Sequence, residues 1–104
     1  MNEIKKYLRE NLGDKLVLYL LNLDKNSIIN LNECDYNNEL AKKLENIYYI
    51  ISPIIKKYDS RTVISWLFGR NTNLEEESPA FVLRHSKDNL DISNLISASK
   101  LFVQ

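Results

Sequence analysis

LAKKLENIYYIISPIIKKY, residues 40–58, is the stretch whose reading decides the fold. Leu40, Leu44, Ile47, Tyr48, Ile51, Ile55 and Tyr58 recur in steps of three and four, which aligns them on one face of a long α-helix. Tyr48 and Tyr49 are neighbours on that helix, so they face different directions, and one of them is expected nearer solvent. Pro53 stands inside the run. Its ring has no N–H to donate, so a kink or an early end is expected there.

Toward the N-terminus, Ile4, Tyr7, Leu8 and Leu12 also keep helical spacing. Gly13 interrupts them, and Asp14 is placed to cap the next segment. Residues 15–23 are apolar at nearly every position. Such a run suits a buried strand as well as a helix, but the chain offers no second convincing strand to pair with it, so a helix is expected. Asp24 could cap a short third helix carrying Ile28, Ile29 and Leu31, and residues 32–38, rich in Asn and Asp, read as a loop.

Toward the C-terminus, Asp59 or Ser60 can cap a helix that buries Val63, Ile64, Trp66 and Leu67. Gly69 breaks that helix. Ser78 followed by Pro79 is a strong start signal, a side-chain acceptor and then a residue with helical φ already set. A last helix places Ile92, Leu95, Ile96, Ser99, Phe102 and Val103 on one side. The expected fold class is all-α: a compact single-domain helical bundle of about six to eight helices, with a helix-turn-helix-like N-terminal half. One domain covers residues 1–104, divided into a half at 1–58 that ends with the long helix and a half at 59–104.

Composition narrows the function. At 104 residues the chain can build one core and not two. Fourteen basic and fourteen acidic side chains cancel, so no net field draws the whole molecule to nucleic acid or an anionic membrane. The single cysteine, Cys34, cannot close an intrachain disulfide, which makes a reducing, cytoplasmic setting the expectation. MNEIKKYLREN lacks the apolar centre of a signal peptide, and the apolar run at 16–21 is too short to span a bilayer.

No constellation for catalysis is visible. His85 is the only histidine and Cys34 the only cysteine, while a zinc site wants about four clustered nitrogen and sulfur ligands. His85 therefore reads as a surface residue and Cys34 as packing. The two glycines, Gly13 and Gly69, make no phosphate-cradling loop. Glu75, Glu76 and Glu77 precede a helix start, where negative charge suits the helix dipole. Arg70 and Arg84 flank that acidic run and either pair with it or reach a partner. The expectation is a protein that is not an enzyme and uses no cofactor and no metal.

The segment at 12–31 admits a nucleic-acid reading. Two short helices joined near residues 22–24 would form a helix-turn-helix. The second would present Lys25, Asn26, Ser27 and Asn30 to phosphates and base edges. Phosphate neutralisation dominates DNA affinity, and one lysine supplies little of it unless Lys5, Lys6, Lys42 and Lys43 gather on the same face.

WLFGRNTNLEEESPAFVLR, residues 66–84, resembles the toxin-binding region of the Xre/MbcA/ParS-like antitoxins, whose pattern is W-L-x-G-x-N-x-x-L-x-x-x-S-P-x-x-x-L-R. The matching positions are Trp66, Leu67, Gly69, Asn71, Leu74, Ser78, Pro79, Leu83 and Arg84. LRENLGDKLVLYLLNLDKNSIINL, residues 8–31, is similar to the family's N-terminal part, and the helix at 40–58 to its long connecting helix. The chain departs from the family after the Ser-Pro helix, where HSKDNLDISNLIS replaces a glycine-containing ending, and in a candidate recognition helix poor in arginine.

The resemblance implies an antitoxin of a bacterial type II toxin-antitoxin system. It would neutralise a RES-like, NAD-consuming toxin by direct binding and repress its own operon at operator DNA. Arg70, Asn71, Leu74, Ser78, Pro79, Leu83 and Arg84 would form the toxin-binding surface, and a homodimer is the expected assembly, away from membranes. The alternative is a helix-turn-helix transcriptional regulator without a toxin partner.

Overall fold

A computed structural model describes residues 2–23, 38–86 and 89–104. The chain is all-α. Among the described residues six α-helices run in the order α1 (Asn2–Leu12), α2 (Asp14–Leu20), α3 (Asn38–Lys57), α4 (Ser60–Phe68), α5 (Pro79–His85) and α6 (Asn89–Val103), with a 3-10 turn at Thr72–Leu74 between α4 and α5. No strand occurs among the described residues. The short third helix expected after Asp24, the loop at 32–38 for the most part, and Cys34 lie outside the described residues.

The centre of the bundle is α3. Leu44, Ile47, Ile50, Ile51 and Ile54 are fully buried along it, and Leu40, Tyr48 and Ile55 pack beside them. Its most extensive neighbour is α6, and α1 and α4 pack on it as well. The Ser99 hydroxyl of α6 is buried and donates to the Ile50 carbonyl of α3 at 2.6 Å, fixing the two helices in register. The other core residues are Leu8 and Leu12 from α1, Val17, Leu18 and Leu20 from α2 with Leu21 just after it, Val63, Trp66 and Leu67 from α4, Leu74 from the 3-10 turn, Ala80 and Leu83 from α5, and Leu95 and Ala98 from α6. Of the tyrosine pair, Tyr49 faces solvent and Tyr48 is half-buried, with its ring edge-on to Tyr7 of α1 at 5.2 Å.

Three local expectations are corrected. The early end offered for α3 at Pro53 does not occur, and the helix continues to Lys57. The bond that proline cannot make belongs to the carbonyl of Tyr49, on the solvent side of the helix, while the apolar side is held by Ile50, Ile51 and Ile54. Asp14 does not cap α2. Gly13 occupies the cap position without a side-chain bond, and Asp14 instead forms a two-point ion pair with Arg9, at 2.6 and 3.0 Å. Hydrogen bonding from that guanidinium holds the Asp14 carboxyl below the usual aspartate range. Ile64, expected inside, is 36% exposed. It lies one position round the helix from the stripe made by Val63, Trp66 and Leu67, whose spacing of three and four faces the core.

The caps follow ordinary helix chemistry. Asp59 accepts from the Thr62 backbone N–H at 2.7 Å, and Ser78 accepts from the Phe81 N–H at 3.2 Å. Each satisfies a donor that the first turn of a helix leaves unpaired. Ser60 donates to the Asn11 side-chain carbonyl at 2.7 Å, tying the start of α4 to the end of α1. Close by, at the end of α3, the Lys57 ammonium reaches the Val103 carbonyl at the last turn of α6, where a cation meets unpaired carbonyls and the negative end of the helix dipole.

Gly13 lets α1 turn directly into α2. Its φ is +85°, and a Cβ placed there would meet nothing within 4 Å. The barrier to substitution is therefore conformational. Gly13→Ala is expected to lower stability by about 1–2 kcal/mol, read as a shift of the urea midpoint at unchanged slope.

Candidate functional site

The motif at 66–84 folds into the end of α4, a tight loop and α5. α4 stops at Phe68, and Gly69 closes it with an N–H bond to the Ser65 carbonyl at 3.1 Å. A Cβ on Gly69 would stand 3.3 Å from the Ser65 carbonyl oxygen, a tight contact at the helix end. The chain then turns on Asn71, whose carbonyl accepts from both Leu74 N–H and Glu76 N–H, at 2.9 and 3.0 Å. Leu74 folds back and is buried in the same core as Trp66 and Leu67. Glu75 and Glu76 both adopt left-handed backbone, with φ of 57° and 70°. Such a conformation costs a non-glycine residue about 1 kcal/mol or more, so the loop holds its shape against that cost. The outcome lifts Glu75, Glu76 and Glu77 into solvent.

The residues expected at this surface divide by role. Leu74, Pro79 and Leu83 are buried and build the loop and α5 from inside. Ser78 caps α5, and Asn71 closes the turn through its backbone. Arg70 lies at the surface. Arg84 is partly buried and turned away from the acidic run. It donates to the Tyr19 carbonyl at 2.7 Å, and its guanidinium lies 4.4 Å from the centre of the Tyr19 ring. One arginine thus caps the end of α2 and stacks on its aromatic face.

Lys43 from α3 approaches the same helix end, donating to the Leu21 carbonyl at 3.4 Å. Burial pulls the Lys43 ammonium below the usual lysine range, with Glu39 opposing that and Arg84 adding to it. Two cations from distant parts of the chain therefore converge on the carbonyls where α2 ends. Neither pairing could be read from spacing, since Arg84 and Tyr19 are 65 positions apart.

Sequence reasoning also passed over two aromatics. Phe68 and Phe81 are 53% and 45% exposed, one at each side of the loop. The Phe68 ring lies 6.1 Å from Tyr19, and the Phe81 ring 4.5 Å from exposed His85. The signal was present: each stands out of step with the apolar stripe of its own helix. Exposed aromatics grouped around a rigid loop are the type of side chain that anchors protein interfaces.

The candidate DNA-contacting residues Lys25, Asn26, Ser27 and Asn30 lie outside the described residues. Of the lysines that might have supplemented them, Lys42 is exposed, Lys43 is engaged at the end of α2, and Lys6 stands 4.0 Å from Glu10. Among the described residues no group of three His, Cys, Asp or Glu side chains is placed to hold a metal ion, and no helix is long and apolar enough to cross a membrane. No protein-family model, curated protein or solved structure matches the chain.

Proposed function

We propose that this chain is a non-enzymatic interaction protein of the cytoplasm, an antitoxin that masks a partner toxin by direct binding. The observation that carries the reading is the loop at 69–78, held in an unfavourable backbone conformation and bordered by two exposed phenylalanines. Strain of this kind persists only where surrounding structure enforces it, and it concentrates at functional surfaces. A loop ordered before binding loses little conformational freedom on association, which raises affinity. Phe68 and Phe81 supply apolar anchors, and Arg70 supplies a planar donor that pairs with carboxylates or phosphate-like groups. The resemblance of residues 66–84 to antitoxin toxin-binding regions supports the partner class, a RES-like toxin that consumes NAD.

The test is binding and rescue. A RES-domain toxin would be co-expressed with this chain, and complex formation measured by calorimetry. Co-expression should restore growth that the toxin alone arrests. Phe81→Ala should leave the melting temperature nearly unchanged and weaken binding at least about tenfold, or 1.4 kcal/mol. Unaltered affinity in the Phe68→Ala, Phe81→Ala double variant would remove this surface from the interface. Steeply salt-dependent binding to its own promoter DNA, without any protein partner, would favour the regulator reading instead.

A further inference from the structure

On the side of the bundle where α4 meets α6, a groove of about 490 Å³ opens between the two helices and the start of the loop. Trp66, Ala98, Leu101 and Phe102 give it apolar walls, and Thr62, Ser65, Asn71 and Thr72 give it a polar rim. Arg70 is its only charged lining residue among the described residues. The size falls in the range of small-molecule sites, and so does the composition, a mostly apolar surface with a few polar groups.

Two observations give the groove a chemistry. The first is Trp66. It is only 7% exposed, and its indole N–H finds no acceptor among the described residues. A buried donor of that kind is costly to leave unmade, and the residue that carries it is part of the groove wall. The second is charge. Among the described residues the lining carries one cation and no carboxylate, so an anion entering the groove would meet a positive partner in Arg70. Arg70 alone would argue little, since a cation just past the end of α4 also suits the helix dipole. Its position at the lip of an apolar groove walled by Trp66, Leu101 and Phe102 argues more. Leu101 and Phe102 remain 49% and 38% exposed, although Phe102 already packs on Trp66 and Tyr58, with ring centres 6.2 and 5.6 Å away.

We propose that this groove binds a small apolar carboxylate, its hydrocarbon part against Trp66, Leu101 and Phe102 and its carboxylate paired with Arg70. The inference goes beyond partner binding and is tested without any protein partner, so it stands or fails separately from that reading.

Trp66 is the only tryptophan in the chain. Its fluorescence and its indole N–H resonance therefore come from a single residue of the groove wall. The probe is 4-phenylbutyrate, and 4-phenylbutanol is the uncharged match. The acid should move the indole resonance saturably with a dissociation constant of about 1 mM or tighter, the affinity expected for a ligand of that size. The alcohol should bind at least about fivefold more weakly. Arg70→Gln should bring the acid down to the affinity of the alcohol and leave the alcohol unchanged. Arg61→Gln, an exposed arginine outside the groove, should alter neither. Circular dichroism melts of both variants establish that they are folded. The proposal is overturned if the acid fails to shift the indole resonance, if acid and alcohol bind equally, or if Arg70→Gln has no more effect than Arg61→Gln.

Discussion

Leu67→Ala is expected to lower the stability of the chain by about 2–5 kcal/mol, while Phe68→Ala, one residue on, costs less than about 1 kcal/mol. Leu67 is fully buried and Phe68 is 53% exposed. Removing the Leu67 side chain deletes buried methyl groups and leaves a cavity among Trp66, Leu74 and the rest of the core, and the closely packed interior cannot fully collapse into it. A domain of this size has a total stability of only about 5–15 kcal/mol. The Leu67 variant should therefore melt about 10 °C or more below the parent. Urea denaturation of the two single variants side by side measures this, and a Leu67→Ala loss below about 1 kcal/mol would show that α4 does not pack as described.

Arg84→Ala is expected to lower stability by about 1.5–3 kcal/mol, and Arg70→Ala by less than about 0.5 kcal/mol. The two arginines flank the same acidic run in sequence, yet their surroundings differ. Arg84 donates a charge-assisted bond to the Tyr19 carbonyl and lies over the Tyr19 ring. Its loss leaves a carbonyl at the end of α2 without that donor and removes a contact between α2 and α5. Arg84→Lys should recover only part of the loss, because an ammonium cannot donate in a plane and stack at once. Arg70 is exposed, so its removal should show in binding rather than in folding. If the toxin is the partner, affinity should fall at least about tenfold in Arg70→Ala. Equal melting temperatures for Arg84→Ala and Arg70→Ala would refute this division of roles.

The sequence by itself determined the fold class and most helix limits. Apolar residues in steps of three and four mark α1, α3 and α6 because a helix returns the same face every 3.6 residues. Asp59, Ser78 and Pro79 announce the starts of α4 and α5 because the first turn needs an acceptor and can accept a residue without an N–H. The burial of Trp66 and Leu67 was legible from the same periodicity, and the turn at Gly13 from the break in it. These are local properties, set within a few residues of one another.

What only the tertiary structure decided depends on distant parts of the chain meeting. Whether Pro53 ends α3 rests on the packing of Ile50, Ile51 and Ile54 against other helices, which outweighs one missing hydrogen bond. Asp14 turned to Arg9 instead of capping α2, since the bend at Gly13 brings the two side chains together. The fate of Arg84 could not be read at all: charge pattern pointed to the neighbouring glutamates, and the fold supplied Tyr19. The groove at α4 and α6 is likewise a product of assembly, for Arg70 and Trp66 meet Ala98 and Phe102 only when the last helix docks. Spacing along a chain encodes periodicity and caps, while side-chain partners across helices are chosen by three-dimensional packing, which no short window of sequence contains.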